Sequence, residues 1–200
     1  LRAFVLQREW RAGPPVYSDI NFILLGIALE RIHGISIRDM PVPAGMSFAP
    51  DPALCAATEN CTWRGRVMVG EVHDENCYAL AGTGHAGLFG TVDGVLDFAR
   101  GLLDGTGAPE GVVTLMRTPV AGNRTHGWEK AYRGWSGGDL AGPGTIGHTG
   151  FTGTGLWIDF EHGLAWTLLT NRVHPTRHSD SGIFELRPVT GDIISRELAA

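Results

Sequence analysis

The chain has 200 residues, 43% of them apolar and 18% charged, with a formal net charge of −5. That composition excludes a disordered chain or a coiled coil, and the length suffices to bury a sizeable core. The acidic balance carries no basic stripe, which argues against a nucleic-acid partner, and no run approaches the roughly 18 apolar residues that span a bilayer.

Taken in chain order, the opening LRAFVLQREW has Arg and Glu inside its apolar pattern and does not read as a signal peptide. It lacks Met and reads as the start of a piece cut from a longer chain. AGPPVYSD is a loop that stops at Asp19. From Ile20 to Ile32, the residues Ile20, Ile23, Leu24, Ile27, Ala28 and Ile32 recur at helical spacing. Ser18 or Asp19 can cap that helix, and Gly34 sits where a left-handed C-terminal residue belongs. Residues 40–90 are loop-rich, with short strands expected around Val67–Val69, and read as a smaller lobe or cap over a site. Cys55, Cys61 and Cys77 show no C-x-x-C pattern; a Cys55–Cys61 pair is one reading, and free thiols are the plainer one.

A second helix is expected from Val92 to Leu103, capped by Thr91 and ended by Gly105. Residues 105–143 are rich in glycine and aromatics, with Trp128 and Trp135 in polar surroundings. Strands are expected at 144–149, 155–160 and 164–171. The run Leu164–Leu169 is too apolar to have one face in solvent, so helices should cover both faces of its sheet. The tail from Ser181 reads as helix, with Pro188 and Gly191 as kinks or restarts. The organisation expected is a helical and loop lobe over 1–143, followed by antiparallel strands and a helix over 144–200.

Two stretches carry chemistry. YSDINFILLGIALERIHG opens with Tyr17 at a helix mouth, and GHTGFTGTGLWIDF places His148-Thr149-Gly150 where an apolar hairpin begins. Small residues at a strand start let backbone N–H groups lie along a substrate. Together they resemble the Y-x-N and K-T-G boxes of the β-lactamase-related, penicillin-recognising serine hydrolases. LWID…LLTNRVHPTR is similar to members that act as cell-wall amidases and esterases. GEVHDENCYAL and GHAGLF also resemble stretches of that family. There His73, Asp74 and His85 could touch substrate, although fixing loops is the plainer role.

The resemblance implies an α/β (α+β) fold: an antiparallel sheet flanked by helices with a loop-rich second lobe. It implies acyl transfer to water through a serine ester, on an amide, β-lactam or ester of a small molecule or peptide, without a cofactor or metal. By the same resemblance, Tyr17 is the general base or acid. Asp19 stands in place of the usual Asn, and an ionised Asp can only accept. His148 replaces the box lysine and brings a charge that depends on pH near neutrality. Thr149 orients substrate, Gly150 allows its backbone to approach, and the Phe151 N–H is one oxyanion donor. The family's nucleophile is the Ser of S-x-x-K, whose Lys accepts the hydroxyl proton. The one lysine is Lys130, and Gly127 stands three residues before it. The chain is therefore expected to be inactive alone, its nucleophile carried by an N-terminal segment or another chain. The alternative is a non-catalytic, ligand-binding remnant. His174-x-x-x-His178 with His162 has a spacing a metal could use on a helix, but Pro175 interrupts it.

Overall fold

A computed structural model describes residues 2–11 and 13–198. Ala12, the first residue of the AGPPVYSD loop, and residues 199 and 200 of the tail lie outside them. The chain forms two compact units, Leu1–Gly90 and Thr91–Ala200.

In the first unit, helix α1 (Arg2–Gln7) packs against α2 (Asp19–His33). Val5, Ile23, Ile27 and Leu80 make the small core between them. Ser18 caps α2 by accepting the Ile20 N–H, and Gly34 closes it in the left-handed conformation. Glu30 ties the helices together: it pairs with Arg2 and accepts the Ile37 N–H at 3.0 Å. Strand β1 (Met46–Ser47) is followed by the hairpin of β2 (Ala57–Cys61) and β3 (Arg66–Val69). Helix α3 (Glu75–Ala79) and β4 (Phe89–Gly90) complete the unit, β4 pairing with β1. The expected strand around Val67–Val69 is thus one arm of a hairpin. Its partner β2, ATENC, is polar enough to escape a hydrophobic pattern. Cys55, Cys61 and Cys77 are free thiols.

The second unit opens with α4 (Val92–Asp104), where Thr91 accepts the Gly94 N–H as N-cap. Helix α5 (Glu110–Arg117) follows. A four-stranded antiparallel sheet comes next, in the order β5 (Glu129–Lys130), β6 (Ile146–Thr149), β7 (Thr154–Asp159) and β8 (Leu164–Leu169). Helix α6 (Ile183–Leu198) ends the unit. The three expected strands are present: β6 starts two residues later, β7 is shifted by one residue and β8 ends two residues earlier, and the sheet gains β5 from the glycine- and aromatic-rich stretch where no strand was expected. Among the described residues β8 is an edge.

Strand alternation sorts the sheet into two faces. On one, Ile146, Leu156, Ile158 and Ala165 bury against Ala99 and Leu102 of α4 and Val113 and Met116 of α5. On the other, Trp157 and Trp166 pair across β7 and β8 and stack at 6.0 Å between ring centroids. Trp135 and Ile194 of α6 close that core. Both faces are therefore covered, as the apolar β8 required. Trp135, whose sequence neighbours are polar, is buried, and its Nε1–H donates to the Gly138 carbonyl at 2.7 Å.

The tail is a correction to the sequence reading. One continuous helix runs through Pro188 and Gly191, starting at Ile183 rather than Ser181. Pro188 lies in its second turn, so just one backbone hydrogen bond, to Phe184, is forgone. Gly191 is a packing position: a Cβ there would collide with the Gly137 carbonyl oxygen.

Candidate active site

Tyr17 and Asp19 belong to the first unit, and His148 to Phe151 belong to the second. Tyr17 immediately precedes the N-cap Ser18 and is largely exposed. Asp19 is the first residue of α2 and carries the acidic charge of its first turn, where the helix dipole favours an anion.

A hydrogen-bonded chain stands beside Asp19. The Thr83 hydroxyl lies 2.6 Å from His85 Nδ1, and His85 Nε2 lies 2.8 Å from the Asp74 carboxylate. Asp74 also caps α3 by accepting the Cys77 N–H at 2.7 Å. Burial opposes ionisation of Asp74, but the His85 and Cys77 hydrogen bonds outweigh it and hold the carboxyl below its usual range. Side-chain atoms of Asp19, Asp74 and His85 all lie within 4.8 Å of one another. Among the described residues this is the one group of acids and imidazoles so gathered. His174 and His178 lie in turns rather than on a helix, and His162 is held by Asp159 at 2.9 Å. His73 is buried against Glu59 at 3.0 Å. In this structure His73, Asp74 and His85 fix loops.

In the second unit the HTG stretch runs off the end of β6 into a tight turn. His148 lies opposite Leu156 and Thr149 opposite Gly155. By the two-residue period, His148 shares the sheet face of Ile146, which buries against α4. His148 Nδ1 is 2.9 Å from the Thr149 carbonyl. A carbonyl can only accept, so Nδ1 carries the hydrogen, and in the neutral ring Nε2 is the basic nitrogen.

Burial pushes the His148 pKa below the ordinary histidine value, and Arg124 adds to that shift. The Thr149 carbonyl, which outranks Arg124, and then Glu129 pull the other way without overturning the effect of burial. A histidine lowered in the fold is neutral there while its unfolded counterpart still binds a proton. This contribution to stability is therefore complete above the unfolded value, about 6.5, and is lost as pH falls through the lowered folded value. A proton NMR titration should place the His148 midpoint below 6.5. A midpoint above it would mean that the ring is not desolvated.

The turn after β6 is held from several sides. The Gly150 N–H donates to the Thr154 carbonyl at 2.9 Å, and the Gly153 N–H donates to the Gly150 carbonyl at 3.1 Å. The space a Cβ would need at Gly150 is filled by the Thr154 hydroxyl, so any other residue there would have to turn that side chain aside. Arg187 reaches in from α6 and donates Nη2–H to the Gly150 and Thr154 carbonyls, at 2.9 and 2.7 Å. Arg172 donates Nε–H to the Phe151 carbonyl at 2.7 Å and lies 4.5 Å over the Phe151 ring. The Phe151 side chain is 57% exposed. These arginines were missed in the sequence. Arg172 sits in NRVHPTR, where two arginines have no acid between them, and that local excess of positive charge is the signal that could have marked it.

The family model for beta-lactamase matches residues 5–187, which takes in both boxes and both units. The chain belongs to the beta-lactamase family. It is 30% identical over 83% of its length to an Escherichia coli K12 protein bearing the provisional name D-alanyl-D-alanine carboxypeptidase. It is also 30% identical over 80% of its length to the N-acetylmuramyl-L-alanine amidase of Bacillus subtilis. The chain spans about half the length of these relatives, 47% and 44% respectively. A solved beta-lactamase from Mycobacterium bovis superposes with a TM-score of 0.61 at 18% identity, covering 94% of this chain and 65% of that one. Simvastatin synthase from Aspergillus terreus gives 0.58 at 18% identity, covering 86% and 53%. These likenesses establish the beta-lactamase fold, an antiparallel sheet flanked by helices.

Proposed function

We infer that the chain is the substrate-binding part of a serine hydrolase that transfers an acyl group from a cell-wall peptide to water. Its nucleophile lies on a segment outside these 200 residues. The observation that carries this reading is the pinned HTG turn, within a chain of the beta-lactamase family whose relatives are named for cell-wall peptide chemistry.

In this mechanism Tyr17 moves the proton of the incoming serine, and Asp19 contacts substrate at the mouth of α2. The peptide runs antiparallel along the end of β6, oriented by His148 and Thr149. His148, neutral with its basic nitrogen at Nε2, acts as a hydrogen-bond acceptor rather than as a fixed cation. The Phe151 N–H is one oxyanion donor. An oxyanion hole needs donors already aimed at the charge that develops, and a turn fixed by Arg172 and Arg187 supplies that rigidity. The second donor in such sites is the N–H of the nucleophile, which again calls for the S-x-x-K segment.

The experiment compares the 200-residue chain with the same chain extended upstream through its own reading frame. The extended chain should hydrolyse nitrocefin or an acyl-D-Ala-D-Ala peptide, and the 200-residue chain should hydrolyse neither. An extended chain with no S-x-x-K and no turnover would favour a non-catalytic binding protein, for which the absence of that motif from these residues already speaks.

A further inference from the structure

One aromatic pair in the first unit stands where the fold itself gains little from it. Trp63, in the turn between β2 and β3, is 63% exposed, and Tyr78 on α3 is 43% exposed. Side chains of this size normally bury most of their surface. The two rings meet edge to face, with 5.8 Å between centroids and 86° between planes, and so form a right-angled corner.

The corner is braced from beneath. The Arg64 side chain is buried, and its guanidinium lies 4.1 Å from the Tyr78 ring centroid and 5.5 Å from that of Trp63. The same group donates to the Val72 and His73 carbonyls at 2.6 and 3.3 Å, which stops it swinging away. Gly65, in the left-handed conformation, closes the turn by donating its N–H to the Cys61 carbonyl at 2.8 Å. Side chains fixed before binding lose little entropy when a ligand arrives. A polar rim runs alongside: Arg66 donates to Glu71 at 2.6 Å and also bonds the Tyr78 side chain.

Size and charge narrow what fits. A stable protein interface buries about 800 Å² per partner, and two rings of roughly 150–250 Å² each fall well short of it. A nucleic-acid base would stack on the indole, but its phosphates want a basic surface, and the chain carries −5. A pyranose suits the corner better. It is neutral, one of its faces is made of C–H groups that pack on an aromatic ring, and its hydroxyls can both donate to Glu71 and accept from Arg66. The second ring gives a wall for an apolar substituent at the sugar's edge, such as the methyl of an acetamido group.

We propose that Trp63 and Tyr78, braced by Arg64 and rimmed by Arg66 and Glu71, bind an N-acetylated amino sugar. This rests on the reading above that the substrate is a cell-wall peptide, and it assigns the sugar that carries such a peptide to the first unit.

Binding needs no nucleophile, so the 200-residue chain itself serves for the test. Its affinity for tri-N-acetylchitotriose and for cellotriose, which lacks the acetamido groups, is measured by NMR titration. The acetylated trisaccharide should bind about tenfold more tightly, roughly 1.4 kcal/mol. Trp63→Ala should weaken its binding tenfold or more with an unchanged urea unfolding midpoint, and Trp63→Phe, which keeps a ring, should retain part of the affinity. No binding of the acetylated trisaccharide, equal binding of the two, or undiminished binding by Trp63→Ala overturns the proposal. If the acetylated trisaccharide fails to bind while the chain extended upstream turns over nitrocefin, the hydrolase reading stands and the sugar site alone fails. If it binds through Trp63 while the extended chain turns over nothing, the sugar site stands and the hydrolase reading alone fails.

Discussion

Replacing Trp157 with alanine is expected to destabilise the chain by about 4 kcal/mol, measured by urea unfolding, because a fully buried indole leaves a large cavity. Trp157 is 0% exposed and stacks on Trp166 across the β7–β8 pair. Its ring spreads over the sheet so closely that a Cβ on Gly147 or Gly155 would run into it. The indole also fixes the loop over it, donating Nε1–H to the Ser136 hydroxyl at 3.2 Å. Because Gly147 immediately precedes His148 and Gly155 lies opposite Thr149, the same substitution should loosen the HTG strand. A loss under about 1 kcal/mol would mean that the three-tryptophan core is not the support of this face.

Gly191→Ala should cost on the order of 3 kcal/mol, although alanine is the better helix former by about 1 kcal/mol. In α6 a Cβ added at Gly191 would fall on the backbone of residues 137 and 138. A methyl group meets a carbonyl there rather than a movable side chain, so the helix must shift. Asp192 holds the same loop by accepting the Leu140 N–H at 2.8 Å, which restricts that shift. Since α6 also carries Arg187, Gly191→Ala should weaken the hold on the Gly150 turn as well. Unfolding at unchanged or higher denaturant would show that propensity, not packing, governs the position.

Much of the frame was legible in the sequence, and the reasons are physical. Helix α2 declares itself through its apolar period and a Ser18-to-Gly34 capping pattern, and α4 does so through Thr91 and Gly105. Strands β7 and β8 show as apolar runs because both faces of their sheet are buried. What stayed hidden depends on partners distant in sequence. Strand β2 is polar and owes its form to β3, and β5 owes its form to β6. Trp135 looks solvated among glycines and charges until Trp157 and Trp166 come beneath it. Gly191 reads as a helix breaker because its reason is a loop 53 residues upstream, at position 138.

The candidate site divides in the same way. His148-Thr149-Gly150 announces itself because local sequence builds the strand end and the turn. Arg187, 37 residues from Gly150, acts on that turn through the fold alone, and no local pattern could reveal it. Asp74 and His85 were singled out in two separate stretches, but the hydrogen-bonded chain they form with Thr83 was not visible, since it joins a helix cap to a later loop.

We propose that these residues form the binding part of a hydrolase whose attacking serine lies elsewhere. The measurement that tests it most directly is nitrocefin turnover by the chain extended upstream in frame, set against the 200-residue chain and a Tyr17→Phe version of the extended one. Turnover is expected from the extended chain, with a loss on the order of 100-fold on Tyr17→Phe as for removal of a general acid–base group, and none from the 200 residues alone. Turnover by the 200-residue chain that Tyr17→Phe abolishes would contradict it.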